Sequence, residues 1–204
     1  ATLEFDIDPA TAAAVAEMCE EIAVVSVERI AQELSRMLAC SRRVRAVELL
    51  RELGLLPVIL PELIPVLDEF RLGPDADGDW ANTVRMLDAL GEASFELAFA
   101  VLLHEVPPVA GSPGHSPDDC LKTRAERNAH TVWGICRRLR LSNLQADRIC
   151  WLVKHRHHLF DAPNLPPHEL KRLLAEPHSG ELIALNRAEA VAAGGDLSAL
   201  EFSA

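Results

Sequence analysis

Ser94-Phe95-Glu96-Leu97-Ala98-Phe99-Ala100-Val101-Leu102-Leu103-His104-Glu105 is the stretch whose reading decides the fold. Its apolar residues are continuous from Leu97 to Leu103 and do not alternate with polar ones, so it reads as an apolar helix ending on a histidine–carboxylate pair. It falls far short of the about 18 residues a membrane span needs. The rest of the composition agrees with helix: Tyr is absent, aromatics are 4% of the 204 residues, and β-branched residues never form the alternating runs of a sheet. The expected fold class is therefore all-α.

Helix signals recur on both sides of this stretch. Asp8-Pro9 is an N-cap followed by proline at the first helical position, and a helix is expected over Ala10–Ala23. Ser26 caps a second helix with Ile30, Leu34 and Leu38 as its apolar stripe. A third runs from Ser41, with Val44, Val47 and Leu50/Leu53 inward, until Gly54 stops it. A proline-punctuated turn from Leu55 to Leu63 leads into a short helix ending near Phe70. Further helices are expected at Trp80–Leu90, Ser94–Glu105, Pro117–Arg140, Asn143–His155, Pro167–Ala175 and Gly180–Ala193. The Gly/Pro/Asp cluster from Gly73 to Asp79 places a boundary, giving a first region over 1–72, a turn or linker over 73–79, and a second region over 80–204.

Charge and cysteine usage narrow the function classes. The five cysteines (Cys19, Cys40, Cys120, Cys136 and Cys150) are odd in number and lack Cys-x-x-Cys spacing, which points to reduced thiols of a cytoplasmic protein rather than a zinc clamp. No basic-then-apolar leader opens the chain. The net charge of −11 argues against simple wrapping by nucleic acid, yet the positive charge is concentrated. Between Asp119 and Phe160, nine cations (Lys122, Arg124, Arg127, Arg137, Arg138, Arg140, Arg148, Lys154 and Arg156) face three acids, with Trp133 and Trp151 interleaved. That stretch reads either as an RNA-backbone contact or as a solvated helix surface over core tryptophans.

All eight histidines lie after Leu103. Histidine is the commonest metal ligand and general base near neutral pH, and His104, at the mouth of the core with Glu105 beside it, is the strongest candidate. A His followed by a carboxylate after an apolar helix is the heart of the HD metal-site pattern, which makes a metal-dependent phosphohydrolase acting on phosphomonoesters or cyclic nucleotides the alternative to a binding role.

Several segments, in order, carry a family resemblance. Leu3-Glu4-Phe5-Asp6-Ile7-Asp8-Pro9, Ser26-Val27-Glu28-Arg29-Ile30-Ala31-Gln32-Glu33-Leu34, Gly54-Leu55-Leu56 with Leu60-Pro61-Glu62-Leu63, Arg138-Leu139-Arg140-Leu141-Ser142-Asn143 and Leu152-Val153-Lys154-His155 resemble the C-terminal part of the tRNA nucleotidyltransferase and poly(A) polymerase family, the CCA-adding enzymes included. The resemblance implies a helical neck and body bundle followed by an HD-like helical domain. It implies that Glu28, Arg29 and Glu33 brace the neck, and Arg29–Glu33 at i, i+4 is spaced for an ion pair. It also implies RNA, most simply tRNA, as partner. Neither the family's metal-holding Gly-Ser turn with paired Asp nor its base-selecting motif is present, so this chain is expected to be a fragment or a headless relative. Magnesium and ATP or CTP belong to that head, and this chain is expected to bind no cofactor. Carried over by position, the HD ligands fall on Asn82, His104, Glu105 and Glu189, a degenerate set expected to hold no metal unless His115, His130 or His157/His158 replaces a ligand.

Overall fold

In this computed structural model, residues 6–67, 78–107, 122–159 and 166–194 are described, and among them there are helices and no strand. Asp8 Oδ2 accepts the Thr11 N–H at 3.0 Å and Pro9 opens α1 (Pro9–Glu17). The expected helix to Ala23 breaks at Met18 into a 3-10 helix, Cys19–Val24. The Ala-rich α1 buries no residue, so only the following segment, which packs on α4, is shaped by contact.

α2 (Val27–Ala39) turns Ala31, Leu34 and Leu38 inward, and α3 (Arg43–Glu52) does the same with Ala46, Val47 and Leu50. Gly54 adopts φ +70°, a left-handed turn that costs glycine nothing, and starts α4 (Leu55–Ile59). The 3-10 helix Pro61–Leu63 and α5 (Ile64–Leu67) follow. The remainder of the expected linker and the Pro/Gly-rich segment after Pro107 lie outside the described residues.

α6 (Asp79–Ala89) leads to α7 (Phe95–Leu102), the centre of the molecule. Ser94 caps α7 by accepting the Leu97 N–H, and every residue of α7 except Glu96 is buried. A helix without a polar face requires partners on all sides, and α7 packs against α2, α6, α9 and α11. α8 (Lys122–Arg138) pairs with α9 (Asn143–His155), whose start is fixed by a reciprocal capping box between Ser142 and Gln145. α10 (Pro167–Leu174) and α11 (Ser179–Ala192) complete the chain of helices, α11 lying along α6. One apolar cluster runs from Ala31 in α2 to Ala192 in α11, across the position of the Gly73–Asp79 boundary.

Polar joints lock this arrangement. Arg43, 3% exposed, donates to the carbonyls of Leu38 (2.9 Å), Gly91 (2.7 Å) and Leu87 (3.3 Å), bolting the ends of α2 and α6 together. Arg148 of α9 is gripped by Glu181 of α11, whose Oε1 also accepts from Ser94 Oγ at 2.6 Å. No helix of the described residues is long and apolar enough to cross a membrane.

Candidate functional site

α7 ends at Leu102, so His104 and Glu105 sit in the turn beyond it, and the apolar run delivers the imidazole into the interior at 0% exposure. His104 Nδ1 lies 2.6 Å from the Val101 carbonyl, so this nitrogen carries the proton and donates, leaving the lone pair on Nε2. Nε2 has no hydrogen-bond partner and faces Glu105 Oε1 at 3.7 Å. Burial, with the Arg156 guanidinium nearby, pushes the His104 pKa down to about 4 despite the opposing Glu105 charge. The ring is therefore neutral at physiological pH.

The group that answers Glu105 is Arg156, the C-cap of α9. Its Nη2 donates to the same Glu105 Oε1 at 2.7 Å, its Nη1 to the His104 carbonyl at 2.9 Å and its Nε to His157 Nε2 at 2.8 Å. Arg124 adds a second, more distant cation at 3.5 Å from Glu105 Oε2. Burial would raise the Glu105 pKa, but Arg156, His104 and Arg124 outweigh it and hold the carboxyl below its ordinary value. His157 is pushed down to about 4 by burial and by Arg156. Glu189 on α11 feels the same centre: burial raises its pKa, Glu105 adds to the rise and Arg156 opposes it.

The residues present do not fit a metal ion. Among the described residues no three His, Cys, Asp or Glu side chains converge as a ligand set. His104 Nε2 and Glu105 Oε1 supply two donors, and the oxygen between them is already taken by a guanidinium that would repel a divalent cation. Asn82 instead directs its amide to Met86 Sδ at 3.8 Å on its own helix. His130 is exposed on α8, and His115 lies outside the described residues. Three side chains around Arg156 carry a buried polar atom without a hydrogen-bond partner: His104 Nε2, Glu189 Oε2 and Asn128 Oδ1. Glu105, Arg124, Asn128, Arg156 and His157 line a recess of about 130 Å³ beside them.

The nine cations of the basic stretch do not form one face. Arg156 is buried in the site and Arg148 is held by Glu181 with Glu96 3.7 Å away. Arg138 reaches back to the Ile59 carbonyl (2.8 Å) and Glu62 (2.6 Å), and Arg140 pairs with Glu28, so the two arginines brace the first helices against the end of α8. Lys154, half-buried, pairs with Glu126 at 3.2 Å, and the exposed Arg137 donates to Asn143 Oδ1 at 3.0 Å. Arg127 is half-buried, and the side chain of Lys122 lies outside the described residues. Trp133 and Trp151 are partly buried against the core. Of the neck residues, Glu28 braces through Arg140, whereas the partner of Glu33 is Arg36 at 2.7 Å, one turn away at i, i+3, and not Arg29. Arg29 and Glu33 line an apolar groove between α2 and α4.

A second basic cluster escapes a count made only over the second half. From Arg36 to Arg51 there are five arginines and one acid, Glu48. Arg43 is the buried bolt; Arg36, Arg42 and Arg45 are exposed around the α2–α3 corner. Five arginines within 16 residues is the signal that the sequence carries.

With this geometry in hand, comparison with known proteins is informative. Residues 4–67 match the family described as "Probable RNA and SrmB- binding site of polymerase A". The chain is also similar to proteins named "Multifunctional CCA protein". The one from Cupriavidus metallidurans is 29% identical over 150 residues, covering 69% of this chain and 35% of the relative. That from Ralstonia nicotianae is 30% identical over 179 residues (79% and 40%), and that from Variovorax paradoxus 32% over 146 residues (68% and 34%). The chain thus spans little more than a third of the length of these relatives.

Proposed function

Because the chain belongs to the tRNA nucleotidyltransferase and poly(A) polymerase family, we propose that it is the helical part that holds RNA, in the first place tRNA, for nucleotide addition at the 3′ end. In this reading the chemistry resides in a nucleotidyltransferase head elsewhere in the full-length protein, where magnesium and ATP or CTP bind. The chain divides into a neck and body up to residue 72 and an HD-like part from residue 80, and it acts in the cytoplasm. The match of residues 4–67 to an RNA-binding segment carries the proposal. The placement of Arg36, Arg42 and Arg45 on that segment supports it, since exposed guanidinium groups are what a phosphate backbone recruits. From the second basic stretch, the exposed Arg137 and the half-buried Lys154 extend the contact. The phosphohydrolase alternative is the weaker reading, since Glu105 Oε1, one of its two candidate donors, already accepts from Arg156 at 2.7 Å.

The test is tRNA binding across a salt series. Binding should weaken steeply with salt, and Arg42→Gln/Arg45→Gln and Arg137→Gln/Lys154→Gln should each lower the slope of log K against log salt by about 1 to 2, one increment per phosphate contact removed. Absence of tRNA binding at low salt, or slopes unmoved in both double variants, refutes the proposal.

A further inference from the structure

A second cleft, sharing no residue with the His104–Glu105 site, opens between α9 and α10. Three rings of α9 and its following turn form one wall. Trp151 stacks on His155 with centroids 4.7 Å apart and planes 30° apart, and His155 lies 5.0 Å from His158. His178 meets the edge of Trp151 at 6.1 Å. The α10 side carries Glu169, Arg172 and Leu173, with Glu176 just after the helix. The space between is about 220 Å³. His155 Nδ1 lies 2.8 Å from the Trp151 carbonyl, so its N–H donates there and the ring is fixed in orientation. Burial, with His158 and Lys154 near, keeps His155 below the usual histidine range against the opposing pull of the Trp151 carbonyl and Glu176.

This lining specifies its ligand. A wall of rings favours a flat aromatic body, and stacking on such walls is tolerant of base identity. Two carboxylates at the opposite edge accept hydrogen bonds and donate none, so they reward an amino group and repel a phosphate or a carbonyl. Arg172, exposed beside them, is the group left to meet a phosphate outside the cleft. We propose that this cleft holds one unstacked nucleobase bearing an exocyclic amino group, stacked along Trp151, His155 and His158 with its amino edge on Glu169 and Glu176. The proposal rests on the RNA-binding reading for its source of bases, and a free nucleotide offers the same chemistry.

The experiment titrates the chain with AMP, CMP, GMP and UMP, and separately with oligo(A) and oligo(U), following the Trp151 indole N–H by NMR. The three amino-bearing nucleotides should shift that resonance and bind about tenfold or more tightly than UMP. Oligo(A) binding more tightly than AMP identifies an RNA strand as the source, whereas equal affinity identifies free nucleotide. Trp151→Leu should weaken binding about tenfold or more. Glu169→Gln/Glu176→Gln, at exposed positions that leave the fold intact, should erase the preference over UMP. UMP binding as well as AMP in the unaltered chain, or a Trp151 resonance that moves with none of them, overturns the proposal. Variants that lose neither mononucleotide nor tRNA binding sink the cleft and leave the RNA-binding role standing; mononucleotide binding without tRNA binding does the reverse.

Discussion

Arg43, among the first five helices, and Arg156, at the end of α9, are buried to similar depth, 3% and 6% exposed, but their surroundings differ in kind. Arg43 is met by carbonyl oxygens of α2, α6 and the turn after α6, which have no proton to gain or lose. Arg156 is met by an ionised carboxylate, a neutral imidazole and one carbonyl, with Glu189 within its electrostatic reach. Near the second arginine His104 Nε2, Asn128 Oδ1 and Glu189 Oε2 are buried without hydrogen-bond partners. The first arginine is a joint between helices. The second is the counter-ion of a carboxylate, in surroundings whose charge changes with pH.

Removing each cation separates the two cases. Arg156→Met leaves Glu105 buried against Arg124 alone and should cost about 3–5 kcal/mol, a loss that grows with pH and is partly recovered by adding Glu105→Gln. Arg43→Met should cost about 2 kcal/mol for three carbonyls left without donors, with no pH dependence between 5 and 8. Urea unfolding of the single and double variants at several pH values measures both, and equal pH profiles would erase the distinction.

The histidines of the Arg156 region sharpen the contrast further. The unfolded chain takes a proton on His104 near pH 6.5, whereas the folded chain refuses it until about pH 4. The stability associated with His104 is therefore complete above pH 6.5 and is lost as the pH falls toward 4, by up to about 3 kcal/mol. His157 titrates in the same sense. His104→Gln should flatten this limb of the stability curve by one proton, whereas an unchanged slope would show that the imidazole is already protonated in the fold.

The smallest effect is expected at Glu189. Its folded pKa is raised, so its ionisation works against the fold as the pH climbs. Glu189→Gln should stabilise the chain at pH 8 by under about 1 kcal/mol and leave it unchanged at pH 4. Destabilisation at pH 8 would mean that Glu189, with Glu105, is needed to balance Arg156.

Much of the fold is legible from local signals because those signals act locally. Asp8-Pro9, Ser94 and the Ser142–Gln145 box mark helix starts at which the structure shows the corresponding cap bonds, and Gly54 stops α3 through a backbone angle. The apolar run ending at Leu103 foretells a buried His104. What sequence spacing misses is the fate of charge. Arg156 and Arg148 count the same as Arg137 in a tally, yet the first two are absorbed by acids 51 and 33 residues away, and only tertiary packing decides that. The same holds for Glu33, where i, i+3 and i, i+4 partners are both within reach and the side chain takes Arg36. The split of the first helix at Met18 is likewise unmarked by any Gly or Pro in the segment, and the 3-10 turn that follows it packs on α4.

α7 has a consequence that concerns time rather than stability. Its partners run from α2, beginning at Val27, to α11, ending at Ala192, so the most apolar helix of the chain cannot be enclosed by its neighbours in sequence. Its burial is a long-range event, and such events are slow because distant segments must first be brought together. During synthesis, the Leu97–Leu103 run leaves the ribosome well before the helix that closes over it. Until then the segment that defines the fold is also its most adhesive surface, and the interval between the two is the period in which the chain is most exposed to association with other chains.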